Sequence, residues 1–534
     1  TVPYMAMAMA IPFAVVLFAV IQGVLRYLNT YLTDWVSQKI TNTVKIALFS
    51  KLVYMNSSFY DENPSGIIIS RYLNDPDTAS KNLVDKCKNI IVSLFGALSL
   101  IVVMLYSSWK LAIVGVGVLC IAFVPVALIR NRVKRASNQN MVVGGNITTN
   151  FNETYSGNKV INAYCLQERQ KKAFVKQVHE SFDINMSLVK RTGWMSPLMY
   201  LIASIGIAIV LFYGTNLIMI GEMTAGSFAS FVTSLLLLYK PVKTLGNTLT
   251  SIQSIFVALG RVFELFDIEP TIQNPENPKT LIDLQNSIRF NNVDFAYVQD
   301  KAVLHNLSLE VFKGETVAIV GNSGGGKSTL VNLIPRFYDV TGGQVLVDGV
   351  DVRDYRQTDL HAKIGYVSQK AILFKGTIAS NVDYGIDAGK GTDEDIIHSL
   401  EVAQGGDIIE KAEKGIYADV AQAGQNFSGG QKQRISIARA IHKHPEIFIF
   451  DDSFSALDYK TDRKLRAKLK EETDGATVLI VAQRIGTVKD ADKIIVLDEG
   501  RIVGMGKHRD LLSDCEVYRQ IAYSQLSEEE LKNA

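Results

Sequence analysis

The stretch Gly321-Asn322-Ser323-Gly324-Gly325-Gly326-Lys327-Ser328 has the residue types and spacing to handle phosphate. It fits GxxxxGK[ST], follows the apolar run Thr316–Val320 and opens a helical run at Thr329. Glycines let successive main-chain N–H groups converge on phosphate oxygens, and a helix start adds positive potential. Lys327 is placed to reach the β- and γ-phosphates of ATP, and Ser328 to ligate Mg2+. Ile447-Phe448-Ile449-Phe450-Asp451 reads as a buried strand ending in a carboxylate. Asp451 at its carboxyl end suits a Mg2+-water ligand beside such a loop.

Two unlike halves must carry these residues. Over 534 residues, 55 Lys and Arg nearly balance 53 Asp and Glu. This argues against a protein that holds nucleic acid by bulk charge. Mean hydropathy is +0.14, high for a water-soluble chain. The four cysteines, Cys87, Cys120, Cys165 and Cys515, form no CxxC pair, which excludes a disulfide scaffold or cysteine zinc site. His361, His442 and His444 show no metal spacing and are expected at the surface. Before residue 270 lie five apolar runs, 5–28, 89–107, 111–129, 197–220 and 225–241. A bilayer core needs about 20 apolar residues per helix. The last run continues into a helical period at Val242, Leu245, Leu249, Ile252, Phe256, Leu259 and Phe263.

Connections 107–110 and 214–226 are short, whereas 29–88 and 130–196 are long and polar. Arg130, Arg132, Lys134 and Arg135 follow a span end, so the long stretches are expected in the cytoplasm. Five spans then put Thr1 outside, with an earlier span expected upstream. Pro12 and Pro125 fall inside spans, where they can kink a helix. The expected organisation is an all-α polytopic membrane domain at 1–267, a Pro-rich linker at 268–287, and an α/β domain at 288–534. In the last, Thr316–Val320, Lys363–Val367, Ile447–Asp451, Thr477–Ala482 and Lys493–Leu497 alternate with helical stretches, the pattern of a largely parallel sheet.

Asn426-Phe-Ser428-Gly429-Gly430-Gln431-Lys-Gln-Arg, between the phosphate loop and the Asp451 strand, resembles the signature motif of the ATP-binding cassette (ABC) family. That resemblance implies that Ser428, Gly429, Gly430 and Gln431 cap nucleotide held by an opposite cassette, so two cassettes close each site. It further implies that Tyr297 stacks on adenine, that Gln369 senses Mg2+ and the γ-phosphate, and that Ser455–Asp458 crosses between cassettes. Phe59-Tyr-Asp-Glu-Asn-Pro-Ser-Gly66 with Ser70-Arg71, and Glu153-Thr-Tyr-Ser-Gly157 onward, resemble the two cytoplasmic loops of ABC exporters, which carry short coupling helices. The whole chain looks like a half-transporter of the exporter type, its first membrane helix missing, its cassette cytoplasmic, in a bacterial plasma membrane.

Two positions depart from the family pattern. After Asp451 the family has a Glu that orients or deprotonates the attacking water; here it is Asp452. After strand Thr477–Ala482 the family has a His on the γ-phosphate; here it is Gln483, which cannot become a cation near neutral pH. The pair implies a degenerate site that binds ATP and hydrolyses it slowly, while the intact signature completes a partner's competent site. This resembles one subunit of the heterodimeric multidrug exporters, which move hydrophobic or amphipathic compounds. A lipid or lipid-linked substrate is the alternative, and a gated channel or regulatory subunit a weaker one.

Overall fold

The structure, a computed structural model, describes residues 2–298, 301–385, 389 and 391–525. Within the helices, the side chains of Ser70, Cys120, Pro125, Arg130, Arg132, Lys134 and Leu249 lie outside the described residues. The chain divides into two compact units, 1–53 with 65–268, and 54–64 with 269–534.

The first unit is helical: α1 (Val2–Val53), α3 (Ser65–Ser107), α4 (Trp109–Ser156), α5 (Asn158–Ala163), α6 (Gln167–Thr192), α7 (Met195–Met219) and α8 (Ala225–Asp267). The short α2 (Ser57–Glu62) belongs to the second unit. Among the described residues, four helices are long and apolar enough to cross a membrane, at Pro12–Val53, Ser65–Ser107, Tyr200–Met219 and Ala225–Gly246. The run 111–129 is helical within α4, most of its side chains outside the described residues. Helices suit this setting because every main-chain polar group is bonded within the segment. Phe13 and Phe18 are 71% and 67% exposed, as lipid-solvated side chains would be.

The polar stretches 29–88 and 130–196 are mostly not loops. They continue the helices, with α2 and α5 as the short helices between. The two short connections meet, since Lys110 Nζ lies 2.7 Å from Glu222 Oε2. Farther along, Arg261 grips Asp75 with two hydrogen bonds of 2.9 and 2.7 Å, tying α8 to α3. The helical period along α8 is as expected, but the buried face differs. Ile255, Ala258, Val262 and Leu265 are buried, whereas Phe256 and Phe263 are exposed. α8 shares its most extensive interface with α3.

The second unit is built on strands β1 (Ser287–Val298), β2 (Lys301–Phe312), β3 (Thr316–Gly321), β4 (Gly342–Val347), β5 (Val350–Asp351), β6 (Ile364–Val367), β7 (Gly376–Thr377), β8 (Asp419–Val420), β9 (Ile447–Asp451), β10 (Thr477–Val481), β11 (Lys493–Asp498) and β12 (Arg501–Gly506). The main sheet runs β12-β11-β3-β10-β9-β6, parallel except for β12. An antiparallel sheet, β2-β1-β4-β5, packs beside it. Alternate residues of each main strand enter different cores. Ala318, Val320, Phe448 and Phe450 line one, and Val317, Ile319, Ile447 and Ile449 the other. Being buried on both faces, these strands read as continuous apolar runs. Of the expected linker 268–287, Ser287 already belongs to β1, and residues 269–286 are irregular but packed onto this unit. Ile272, Leu281 and Leu284 are buried, and Lys279 N donates to Asp354 O at 2.8 Å.

Candidate ATP site

In open parallel sheets, ligands bind beyond the carboxyl ends of the strands. The predicted residues gather there. β3 ends at Gly321, β6 leads to Gln369, β9 ends at Asp451 and β10 leads to Gln483. β10, β9 and β6 are neighbours, so their exits lie side by side at about 5 Å per strand.

The loop from Gly321 to Gly326 turns sharply into the helix Lys327–Asn332. Gly321 has φ +151°, and a Cβ there would lie 1.9 Å from the Leu497 carbonyl oxygen. Gly326, at φ +91°, would place a Cβ 2.8 Å from Leu304 Cδ2. Neither position accepts a side chain, so the glycines serve close packing as well as phosphate approach. Gly321→Ala is expected to destabilise the protein by about 3 kcal/mol, from strain plus overpacking. Thermal unfolding in detergent should show a midpoint roughly 10 °C lower.

Lys327 is buried and donates to the carbonyls of Gly321 (2.9 Å) and Asn322 (2.7 Å). Burial pulls its ammonium below the ordinary lysine value, against the attraction of Asp452 and Asp451. Asn322 Nδ2 donates to Asp498 Oδ1, and Gly325 N to Asn322 O, which shapes the loop through Ser323 and Gly324. Ser328 Oγ donates to Asp451 Oδ1 at 2.7 Å. Burial pushes the Asp451 carboxyl above its usual range, opposed by the Ser328 hydrogen bond, raised further by Asp452 and lowered by Lys327. A hydroxyl and one carboxylate form the small, hard oxygen set that Mg2+ takes when phosphates supply its other ligands.

Asp452 is buried at φ +47°, a left-handed conformation that aspartate tolerates. Its N–H donates to Val481 O at 3.0 Å, which fixes it against β10. Its Oδ2 accepts two amide hydrogen bonds, from Gln369 Nε2 at 3.0 Å and Gln483 Nε2 at 2.7 Å. The two positions that depart from the family pattern therefore touch one another.

Tyr297 packs edge-on against Phe295 and Tyr338, and its hydroxyl meets Thr329 Oγ1 at 3.0 Å. Its ring thus stands beside the first turn after the loop, 43% exposed. Tyr338 donates to Asp61 in α2. Burial and the Asp61 carboxylate push the Tyr338 hydroxyl well up. Asp61 was within the exporter-loop motif; Tyr338 sits in no recognisable pattern.

Ser428 caps the helix Gly429–His442. Gln431 N donates to Ser428 Oγ at 3.3 Å, and Ser428 N to Gln431 Oε1 at 2.8 Å. Ser428 and Gly429 are exposed, and among the described residues no hydrogen bond joins Ser428–Gln431 to the phosphate loop. One chain therefore brings together Lys327, Ser328, Asp451, Asp452, Gln369 and Gln483, and holds the signature apart. Gln433, within the motif but not singled out, is buried and donates to Ser368 O at 3.2 Å, so the signature helix is tied to the Gln369 loop. Of the histidines expected at the surface, His444 is exposed, whereas His361 is half-buried with Nε2 2.7 Å from Pro335 O, and His442 is half-buried beside Asp383.

Comparison with known proteins agrees with this arrangement. Residues 8–242 match the ABC transporter transmembrane region, and residues 304–455 match the ABC transporter family. An ATP-dependent lipid A-core flippase of Syntrophus aciditrophicus is 34% identical over 98% of this chain and 86% of its own. A protein of the same description from Desulfotalea psychrophila is 32% identical over 94% and 87%. The solved structure of a bacterial Atm1-family ABC exporter with ATP bound superposes with a TM-score of 0.85 at 26% identity, covering 94% of this chain and 88% of that one. With its membrane region and its ATP-binding cassette both matched, and relatives aligned over nearly the whole of its length, the chain belongs to the ABC transporter family, as an ATPase-coupled, membrane-spanning half-transporter of the exporter type.

Proposed function

We propose that this protein flips an amphipathic lipid or lipid-linked molecule across the membrane, as one of two cassettes, and that its own ATP site binds nucleotide but turns it over slowly. The lipid class is supported by relatives over nearly the whole chain that are described as lipid A-core flippases. Slow turnover is supported by Asp452 Oδ2, which accepts from both Gln369 and Gln483. A multidrug substrate is the second reading, favoured by the Asp452 and Gln483 pair.

The chain's own residues would act as follows. Main-chain N–H groups of 322–328 and the Lys327 ammonium neutralise the phosphates, and Tyr297 offers a ring to the base. Ser328 and Asp451, with Gln369, would hold Mg2+, which when bound neutralises charge on the β- and γ-phosphate oxygens. Asp452 is one methylene shorter than the family carboxylate, about 1.5 Å, and a misplacement of about 1 Å can cost on the order of 10²-fold. Gln483 can donate a hydrogen bond but brings no positive charge. The signature at Ser428 would complete the other cassette's site, whose carboxylate and His would be the ordinary ones.

The test uses the assembled exporter in proteoliposomes. Ser428→Ala is expected to lower ATP turnover at least 10-fold, whereas Asp452→Asn changes it less than two-fold. An equal loss from Asp452→Asn would overturn the slow-site reading. Flipping of a fluorescent phospholipid against uptake of a cationic dye separates the two substrate classes.

A further inference from the structure

The helix Glu516–Gln525 closes the described chain. Tyr518, Ala522 and Gln525, at intervals of four and three residues, lie along one face of it. Tyr518 and Ala522 are fully buried, and the Tyr518 hydroxyl meets His508 Nδ1 at 2.6 Å. Two anchors inside the core leave the helix little freedom to slide. The third position of that face carries an amide instead of an apolar side chain. Gln525 Nε2 donates to Gln483 O at 2.7 Å, and Ile485 N donates to Gln525 Oε1 at 2.8 Å. Both ends of the amide are used, on the two residues flanking Arg484, as a neighbouring strand would use them. Arg484 itself reaches Ser455 O at 3.3 Å.

From this clasp we infer that Gln525 is a positioning residue for ATP turnover: it fixes the main chain of the loop after β10 and thereby sets where the Gln483 side chain meets Asp452. A loop is the least constrained way to carry a side chain that must stand within hydrogen-bond reach of a carboxylate, and Gln525 supplies the constraint that sheet pairing does not. The inference rests on the proposal that Asp452 and Gln483 form the hydrolytic side of the site.

The experiment uses the full chain in lipid nanodiscs, with two readouts. In otherwise wild-type protein, Gln525→Ala should speed hydrogen exchange of the Ile485 amide at least 10-fold while the thermal midpoint moves less than 2 °C. In protein carrying Asp452→Glu and Gln483→His, Gln525→Ala should lower kcat for ATP about 5-fold with KM within two-fold, since nucleotide binding is left intact. Gln525→Glu, which keeps the acceptor for Ile485 N but loses the donor to Gln483 O, should also lower kcat. Unchanged Ile485 exchange, or unchanged kcat, overturns the inference. Should the Asp452→Glu, Gln483→His background fail to accelerate turnover, the slow-site reading falls instead, and the kcat comparison is made in wild-type protein.

Discussion

Replacing Asp452 by Glu and Gln483 by His together is expected to raise ATP turnover by this chain about 100-fold. The extra methylene carries the carboxylate about 1.5 Å farther from the β9 exit, the scale on which misplacement costs on the order of 10²-fold. The same change withdraws one of the two amide donors from Asp452 Oδ2, where Gln483 and Gln369 converge. An imidazole, whose ordinary pKa is about 6.5, adds a group that can carry positive charge beside the γ-phosphate. Glutamate must also accept the left-handed backbone at φ +47°, a cost of about 1 kcal/mol borne by stability more than by rate. The measurement is phosphate release by the purified full chain in lipid, with each single variant alongside. Each single change should give less than the pair, because the two side chains act at one oxygen. A double variant no faster than wild type would mean that Asp452 and Gln483 do not limit this site.

Lys327→Ala should abolish useful nucleotide binding, weakening ATP affinity about 100-fold, equivalent to about 3 kcal/mol. The ammonium is buried and held by two neutral carbonyls, Gly321 O and Asn322 O. Phosphate oxygens are stronger, charged acceptors at the same place, so the exchange favours the nucleotide. Removing the ammonium leaves two buried carboxylates, Asp451 and Asp452, near the phosphates with one fewer cation to offset them. ATP-induced thermal stabilisation reads this directly. Wild-type protein should gain stability with added ATP and Mg2+, and Lys327→Ala should gain little at the same concentration. Asp452→Asn, in contrast, should keep its ATP-induced shift, which separates binding from turnover.

Binding depends on a local segment whose glycines, lysine and serine are contiguous in sequence. Turnover, in the proposed mechanism, depends on three loops that meet because β6, β9 and β10 are neighbours. The first can be weakened at one residue, while the second has to be repaired at two.

Much of this protein was legible from residue order alone. The phosphate loop is a contiguous motif between an apolar strand and a helix, and its chemistry follows from main-chain N–H groups and one ammonium. The core strands were legible because a strand buried on both faces must be apolar throughout, and β3, β9, β10 and β11 begin and end close to the expected residues. The membrane half announced itself through apolar length, since a run of about 20 apolar residues can cross a bilayer as a helix that bonds its own main chain. Tertiary structure decided what sits beside what. That Gln369 and Gln483, 114 residues apart, donate to one oxygen of Asp452 depends on strand order. Non-local parallel pairing leaves no mark on the spacing of either residue. That Ile255 and Val262 are buried while Phe256 and Phe263 are exposed was settled by the packing around α8. A helical period gives the pitch of a buried stripe, but only the neighbouring helix selects its face. Gln525 belongs to the same class: an amide at a helix end has no meaning until folding sets a loop against it.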